Sequence, residues 1–244
     1  MLRVDVITIF PGIFEPFTGE SMVGIAVRGG FVSIRVHDLR CFTEDRHRTV
    51  DDAPFGGGPG MVMKPEPLVA AIERVAGPKG EGRKARVILL SAQGERLEQQ
   101  RLAELVCEEH VVLVCGRYEG VDQRAVELAV DEEISIGDYV LCGGEVPAMA
   151  LMEGMIRLIP GVLHNPESTA TESFQGSLLE GPHYTRPAEF RGQHVPDVLL
   201  SGNHAAVTEW RAEQAQDFTR RRRPELLGRS REAGGASKIG ERES

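Results

Sequence analysis

Strands as apolar as residues 86–91 and 111–115 point to a sheet covered by helices on both faces, and residues 133–136 read as a further strand of it. Residues 4–10 read as a further buried strand, and residues 32–36 alternate like a half-exposed one. Tyr139-Val140-Leu141 resume the extended pattern close behind residue 136. Helical patterns lie between these runs. Residues 66–76 put Leu68, Ile72 and Val75 on one side behind Pro65 and Pro67, and residues 121–130 do so with Val121, Ala125 and Leu128. Residues 146–159 carry Ala148, Leu151, Met152, Met155 and Ile159 as a stripe whose methionines suit core packing. The alternation predicts an α/β fold with a mostly parallel sheet.

From residue 164 the periodicity lapses into Asn, Pro, Ser, Thr, Glu and Gly. Beyond it, Asn203 caps a helix carrying Val207, Trp210 and Phe218 on one face, closed by Arg220-Arg221-Arg222-Arg223 and Pro224. The expected organisation is therefore an α/β domain over 1–163, a flexible interdomain linker over 164–180, a small helical domain over 181–228 and a disordered tail over 229–244.

The chain of 244 residues is long enough for a core without disulfide or metal staples. No apolar run approaches the ~20 residues of a membrane helix, and the opening residues lack the profile of a secretion signal. Cys41, Cys107, Cys115 and Cys142 show no C-x-x-C spacing and read as reduced core thiols in a cytoplasmic protein. A net charge of −9 argues against nucleic-acid binding through bulk charge. The charge is uneven, however. Residues 1–182 hold 17 basic against 28 acidic side chains, whereas residues 183–231 hold 9 against 6, with His183, His194 and His204 in addition. A basic C-terminal end leaves room for a phosphate-contacting patch.

Three strand ends run into glycine-bearing loops, at 89–94, 115–120 and 136–145. In open α/β sheets ligands sit beyond the carboxyl ends of the strands, and glycine there lets a ligand approach the backbone. None of these loops has the spacing of a P-loop or of G-x-G-x-x-G, which points to backbone and apolar contacts in place of a phosphate cradle. A second glycine cluster, 55–61, follows the charged string 45–52 and reads as a mobile loop or a lid over a polar substrate. Arg157 and Glu172 are candidates for an electrophilic stabiliser and a base.

The strings at 45–52, 55–61, 116–120, 136–141 with Gly143-Gly144-Glu145, 159–163, 182–187 and 199–204 occur in this order. Together they resemble the bacterial tRNA (guanine-N1)-methyltransferase family known as TrmD, over about residues 1–228. The resemblance implies a SPOUT-type fold with a deep C-terminal trefoil knot and a small helical tRNA-binding domain. It also implies a homodimer with active sites shared between subunits. The implied reaction moves the methyl group of S-adenosyl-L-methionine to N1 of guanine 37 in tRNA, next to the anticodon. Carried over, the methyl-donor residues are Leu90, Gly116, Tyr118, Glu119, Ile136, Gly137, Asp138, Tyr139, Val140, Leu141, Gly143, Gly144 and Pro147. The tRNA-contacting residues are Arg46, His47, Arg48, Asp52, Gly57, Gly58, Ser201, Asn203 and His204. Glu172 becomes the general base and Arg157 the group that stabilises guanine O6. Mg2+ is admitted as a further cofactor, with no metal-ligand residue assigned.

Two positions depart from the family pattern. Glu172, within Thr171-Glu172-Ser173-Phe174, stands where the family has aspartate, and Ala92 stands where proline is common. The longer carboxylate side chain leaves open a weakly active or inactive tRNA-binding protein of the same fold, since rates respond to ~1 Å misplacements.

Overall fold

The sheet has five parallel strands, and alternate residues of the central three point into two separate cores. In β5 (Ala85–Arg96), Val87 and Leu89 face one core while Ile88 and Leu90 face the other, as a side-chain period of two requires. The computed structural model describes residues 1–80, 82–163, 172–174 and 176–233, with side chains to residue 228. It divides into two compact units, Met1–His164 and Asn165–Ser244. Of the expected linker, residues 164–171 and 175 lie outside the described residues, as does the chain beyond 233.

The first unit holds β1 (Leu2–Thr8), β2 (Val32–Asp38), β5, β6 (His110–Cys115) and β7 (Glu132–Ser135) in the order β2-β1-β6-β5-β7, every neighbouring pair parallel. Helices α1 (Phe14–Gly19), α2 (Ser21–Arg28), α4 (Gln99–Leu105) and α6 (Glu145–Ile156) supply Phe14, Val23, Leu105, Leu151 and Met155 to one core. On the opposite face α3 (Pro65–Ala76) and α5 (Gln123–Ala129) bury Leu68, Ile72, Ala125 and Ala129. A short antiparallel pair, β3 (Asp51–Asp52) with β4 (Val62–Met63), flanks the glycine cluster. The expected parallel α/β sheet is thus present. Helices α1, α2 and α4 were not among the expected elements, although α2 buries Val23 and Ala26 at helical spacing.

Two features of the sheet open a cleft at its carboxyl edge. The chain leaves β6, inside the sheet, and crosses β5 to reach β7 at the outer edge, so the direction of winding reverses there. In β5 both Leu90 and Glu95 pair with Ile134, so residues 91–94 bulge around the end of β7. Gly94 sits so close that a Cβ would lie 2.4 Å from the backbone of Glu133 and Ile134.

Three expectations need correction. Tyr139-Val140-Leu141 form no strand. Gly137, at φ 152°, turns the chain out of the sheet, and Ser135 Oγ both donates to its C=O (3.0 Å) and accepts from its N–H (3.2 Å). Of the cysteines only Cys115 is buried; Cys41, Cys107 and Cys142 are exposed. The helix capped by Asn203 ends at Arg222, ahead of Pro224 as expected, but Pro224 begins another, because its missing N–H is harmless at a first helical position and Glu225 follows in that turn. That helix reaches Ala233, so the backbone beyond Arg229 starts out helical and not disordered.

β1 carries a buried charge. Asp5 is fully buried and accepts hydrogen bonds from Arg3 Nε (2.6 Å), His37 Nε2 (2.6 Å) and His110 Nε2 (2.7 Å). Burial alone pushes its carboxyl up, but the bonds from His110, His37 and Arg3, with the charge of Arg3, hold it well below the usual carboxylate range. A depressed folded-state value means that the stabilisation is complete above about pH 4 and drains away as pH falls below it. Asp5→Asn is expected to lower unfolding stability by about 3 kcal/mol at pH 7. Urea denaturation of both proteins at pH 7 and pH 3 checks this, since the difference must shrink at the lower pH.

The second unit contains a hairpin of β8 (Glu189–Phe190) and β9 (Gln193–His194), then α7 (Asp197–Leu200), α8 (His204–Arg222) and α9 (Pro224–Ala233). Asn203 caps α8 as expected, its Oδ1 accepting from the Ala206 N–H at 3.2 Å. Thr219, wholly buried on α8, accepts the Leu179 N–H (2.8 Å) and ties the preceding segment to the helix.

Candidate functional site

The three glycine-bearing loops converge. A cleft of about 360 Å³ opens at the carboxyl ends of β5, β6 and β7, walled by residues 89–93, 116–121 and 133–137, with the turn 139–144 and Pro147 of α6 closing it. Leu90, Gly116, Tyr118, Glu119, Ile136, Gly137, Tyr139, Val140, Leu141, Gly143, Gly144 and Pro147 all line it. Asp138, exposed on the outside of the turn, does not.

Close backbone packing explains the glycines. Gly144 donates its N–H to the Gly116 carbonyl (2.9 Å), and a Cβ on it would lie 2.7 Å from Cys115 Cα. At Gly143 the space is not left open for a ligand. A Cβ there would meet Arg117 Nε at 2.2 Å. Arg117 is a lining residue that the sequence did not single out, and neither was its partner Glu145. Nε of Arg117 donates to Glu145 Oε2 (2.8 Å), and Thr8 Oγ donates to Glu145 Oε1 (2.8 Å). The ring of Phe10 lies under the guanidinium, 4.6 Å from centroid to Cζ. Burial first, and the Glu145 charge second, push the Cys115 thiol well above its ordinary value, so this cysteine is inert.

The loop at 116–122 is also stitched to the end of the glycine-rich segment that the sequence left as a mobile loop or a lid. Glu119 donates its N–H to the Met61 carbonyl (3.0 Å), Met63 to Gly120 (2.9 Å) and Asp122 to Met63 (3.0 Å). Tyr118 sits in the left-handed region at φ 61°. Burial first, then the charge of Asp51 and the bond to it, raise its hydroxyl above the ordinary value. Farther out, Asp45 accepts the N–H of His47 (3.1 Å) and of Thr49 (3.0 Å) and shapes an exposed turn bearing Arg46, His47 and Arg48. Asp52, Gly57 and Gly58 are exposed.

Arg157 stands at the C-terminal end of α6, the far end from the cleft. In the second unit Glu172 is half-buried in a turn where the neighbouring Ser173 Oγ accepts the Glu180 N–H (2.9 Å). Ser201, Asn203 and His204 are exposed at the start of α8, where Ser201 Oγ accepts the Asn203 N–H (3.1 Å). The basic run is partly engaged. Arg220 and Arg221 both pair with Asp217 (2.9 Å each), and Arg222 lies over Phe218 (4.5 Å). Among the described residues no group of three or more His, Cys, Asp or Glu side chains is arranged to hold a metal ion, and none of the helices is long and apolar enough to cross a membrane.

Comparison with known proteins bears on this geometry. The family model for tRNA (Guanine-1)-methyltransferase TrmD matches residues 2–229. A tRNA (guanine-N(1)-)-methyltransferase of Geobacter metallireducens is 51% identical over 226 residues, covering 93% of this chain and 91% of its own. Those of Geobacillus kaustophilus (50% over 227 residues; 93% and 91%) and Yersinia enterocolitica (51% over 224 residues; 92% and 90%) are similarly close. With a match running from the first strand to α9 and relatives at half identity over nearly their full length, the chain belongs to the tRNA (guanine-1)-methyltransferase TrmD family.

Proposed function

We propose that this protein transfers a methyl group from S-adenosyl-L-methionine to N1 of guanine 37 in tRNA, in a cleft completed by a second copy of the chain. The observation that carries the reading is the cleft formed by three glycine loops in a chain whose relatives are named tRNA (guanine-N(1)-)-methyltransferases. Its volume falls in the range of small-molecule sites, roughly 300–1,000 Å³. Leu90, Ile136, Leu141 and Pro147 offer apolar walls to an adenosine, and the loop backbones offer N–H and C=O groups to its edge. Among the described residues Arg117 is its single basic lining residue, against Glu119 and Glu133. That balance suits a positively charged nucleoside better than a triphosphate.

S-adenosyl-L-methionine supplies an electrophilic methyl group carried on a sulfonium. The chain must make guanine N1 nucleophilic, because the neutral base carries a proton there. Glu172 takes that proton as general base, and Arg157 donates hydrogen bonds to O6, where negative charge develops. The exposed turn at Arg46–Arg48, with Asp52, Gly57 and Gly58, meets the unstacked nucleotide. Ser201, Asn203 and His204 contact the tRNA from the second unit. The organisation proposed is a donor-binding domain over 1–163, a linker over 164–180 and a tRNA-binding helical domain over 181–228.

Two observations support a shared site. The cleft borders the start of α6 whereas Arg157 follows its end, and 12 helical residues span about 18 Å. An arginine so placed serves the cleft of another copy. Beside the cleft Val140 (87% exposed), Val146 (59%) and Leu141 (42%) leave an apolar surface that a second copy would cover. The fold proposed includes the trefoil knot. Supporting it, the chain that leaves β7 returns through Gly144 against Cys115 and Gly116 before entering α6.

The test is transfer of labelled methyl to an unmodified tRNA transcript bearing guanine 37, with an adenine-37 transcript as control. Label on the guanine transcript alone is expected. Donor and tRNA binding without transfer would sink the reading.

A further inference from the structure

Glu145 takes no part in the chemistry above, yet both of its carboxylate oxygens are engaged at the cleft wall. The residue is 1% exposed, with Oε1 accepting from Thr8 Oγ and Oε2 from Arg117 Nε. Burying an ion pair costs so much desolvation that the pair is poor evidence for stability. What it does achieve is to fix a guanidinium. Arg117 is held by its Nε, by Phe10 beneath its plane, and at its backbone by an N–H to Met63 Sδ bond (3.1 Å) and a bridge to Gly143. Its two terminal nitrogens have no hydrogen-bond partner among the described residues. The side chain lines the cleft and keeps 21% of its surface exposed. Gly143 belongs to the same device, since any side chain there would collide with Arg117 as Glu145 holds it.

We infer that Glu145 is a positioning residue that presents the terminal nitrogens of Arg117 to a pair of anionic oxygens on a substrate. A gripped guanidinium offers two parallel N–H donors, the geometry that a carboxylate or a phosphate accepts. Those oxygens come from the carboxylate of the methyl donor or from a phosphate of the tRNA. The inference rests on the proposed methyl transfer, and its test separates the two.

Glu145→Gln keeps the side chain's size and its bond to Thr8 but removes the charge that grips Arg117. It is expected to lower kcat/KM by about tenfold or more, the scale of effect that small misplacements produce. Arg117→Gln should lose at least as much, and the double variant should be no worse than Arg117→Gln alone. Calorimetric binding of S-adenosylhomocysteine and the KM for tRNA identify the source of the anion. A weaker product affinity assigns the donor carboxylate, and a raised KM with unchanged product affinity assigns a phosphate. Additive losses in the double variant overturn the inference. So does a lowered melting temperature with unaltered kinetic constants, the mark of a purely structural role. If Glu145→Gln does not fold, Phe10→Ala at a 41% exposed ring removes the other support. The same constant must then shift several-fold, and no shift overturns the inference. If the native chain transfers no methyl, the proposed function fails, while product and tRNA binding still decide the role of Glu145, which unchanged binding constants would refute.

Discussion

Glu172→Ala is expected to slow methyl transfer by about 10²–10⁴-fold while donor binding stays close to native. The size follows from the acceptor, since guanine N1 gains its lone pair only as a base removes the proton. The selectivity follows from placement. Glu172 belongs to the second unit, and the cleft is lined wholly by residues of the first. Its turn carries the Glu180 N–H to Ser173 Oγ bond and the Phe174 N–H to Leu178 carbonyl bond (3.2 Å), and an alanine at 172 leaves both of these in place. Single-turnover transfer and calorimetric binding of S-adenosylhomocysteine read the two quantities separately. Glu172→Asp shortens the reach by one methylene and should retain most of the rate if the loop adjusts. Near-native turnover in Glu172→Ala would mean that another group takes the proton.

Arg157→Ala should cost about 10²–10³-fold, the loss seen when one donor to a developing negative charge is removed. A more telling result is expected when this inactive variant is mixed with another. Gly116→Val narrows the cleft, because a Cβ at 116 makes only ordinary contacts with Leu89, Leu90 and Val121, leaving the added methyls to occupy ligand space. Each variant alone should be nearly silent. Unfolded and refolded together in equal amounts, half of the dimers pair one of each chain, and in every such dimer one site joins an intact cleft to an intact Arg157. Activity should return to about a quarter of the native value. A mixture as silent as its components would place Arg157 and the cleft in the same subunit's site, against the ~18 Å that α6 puts between them.

Much of this was legible in the residues, for a physical reason. Strands buried on both faces must be apolar throughout, so residues 86–91 and 111–115 announced a covered parallel sheet, and glycines packed on backbone announced the cleft. What stayed hidden depends on partners distant in sequence. Tyr139-Val140-Leu141 looked like a strand because a cleft wall awaiting cover is as apolar as a sheet. Arg117 and Glu145, 28 positions apart, fall in two of the glycine-bearing loops, but nothing in the sequence pairs them. Only the return of the chain against Cys115 brings them together beside Thr8, which is 137 positions from Glu145. Asp5 was equally silent, since a charged residue inside an apolar run makes sense only once His37 and His110 are found on the neighbouring strands.

The position of β7 has a consequence for how the molecule breathes. It is 4 residues long and has β5 as its one strand neighbour among the described residues, on the outer edge of the sheet, yet it launches the turn that forms one side of the cleft. Edge elements with few ladder bonds open before the centre of a sheet does. Fraying of this strand therefore dissolves the cleft while β1, β6 and most of β5 stay folded. Occupancy and edge closure become one linked equilibrium, and any molecule that fills the cleft fastens the rim of the sheet by mass action.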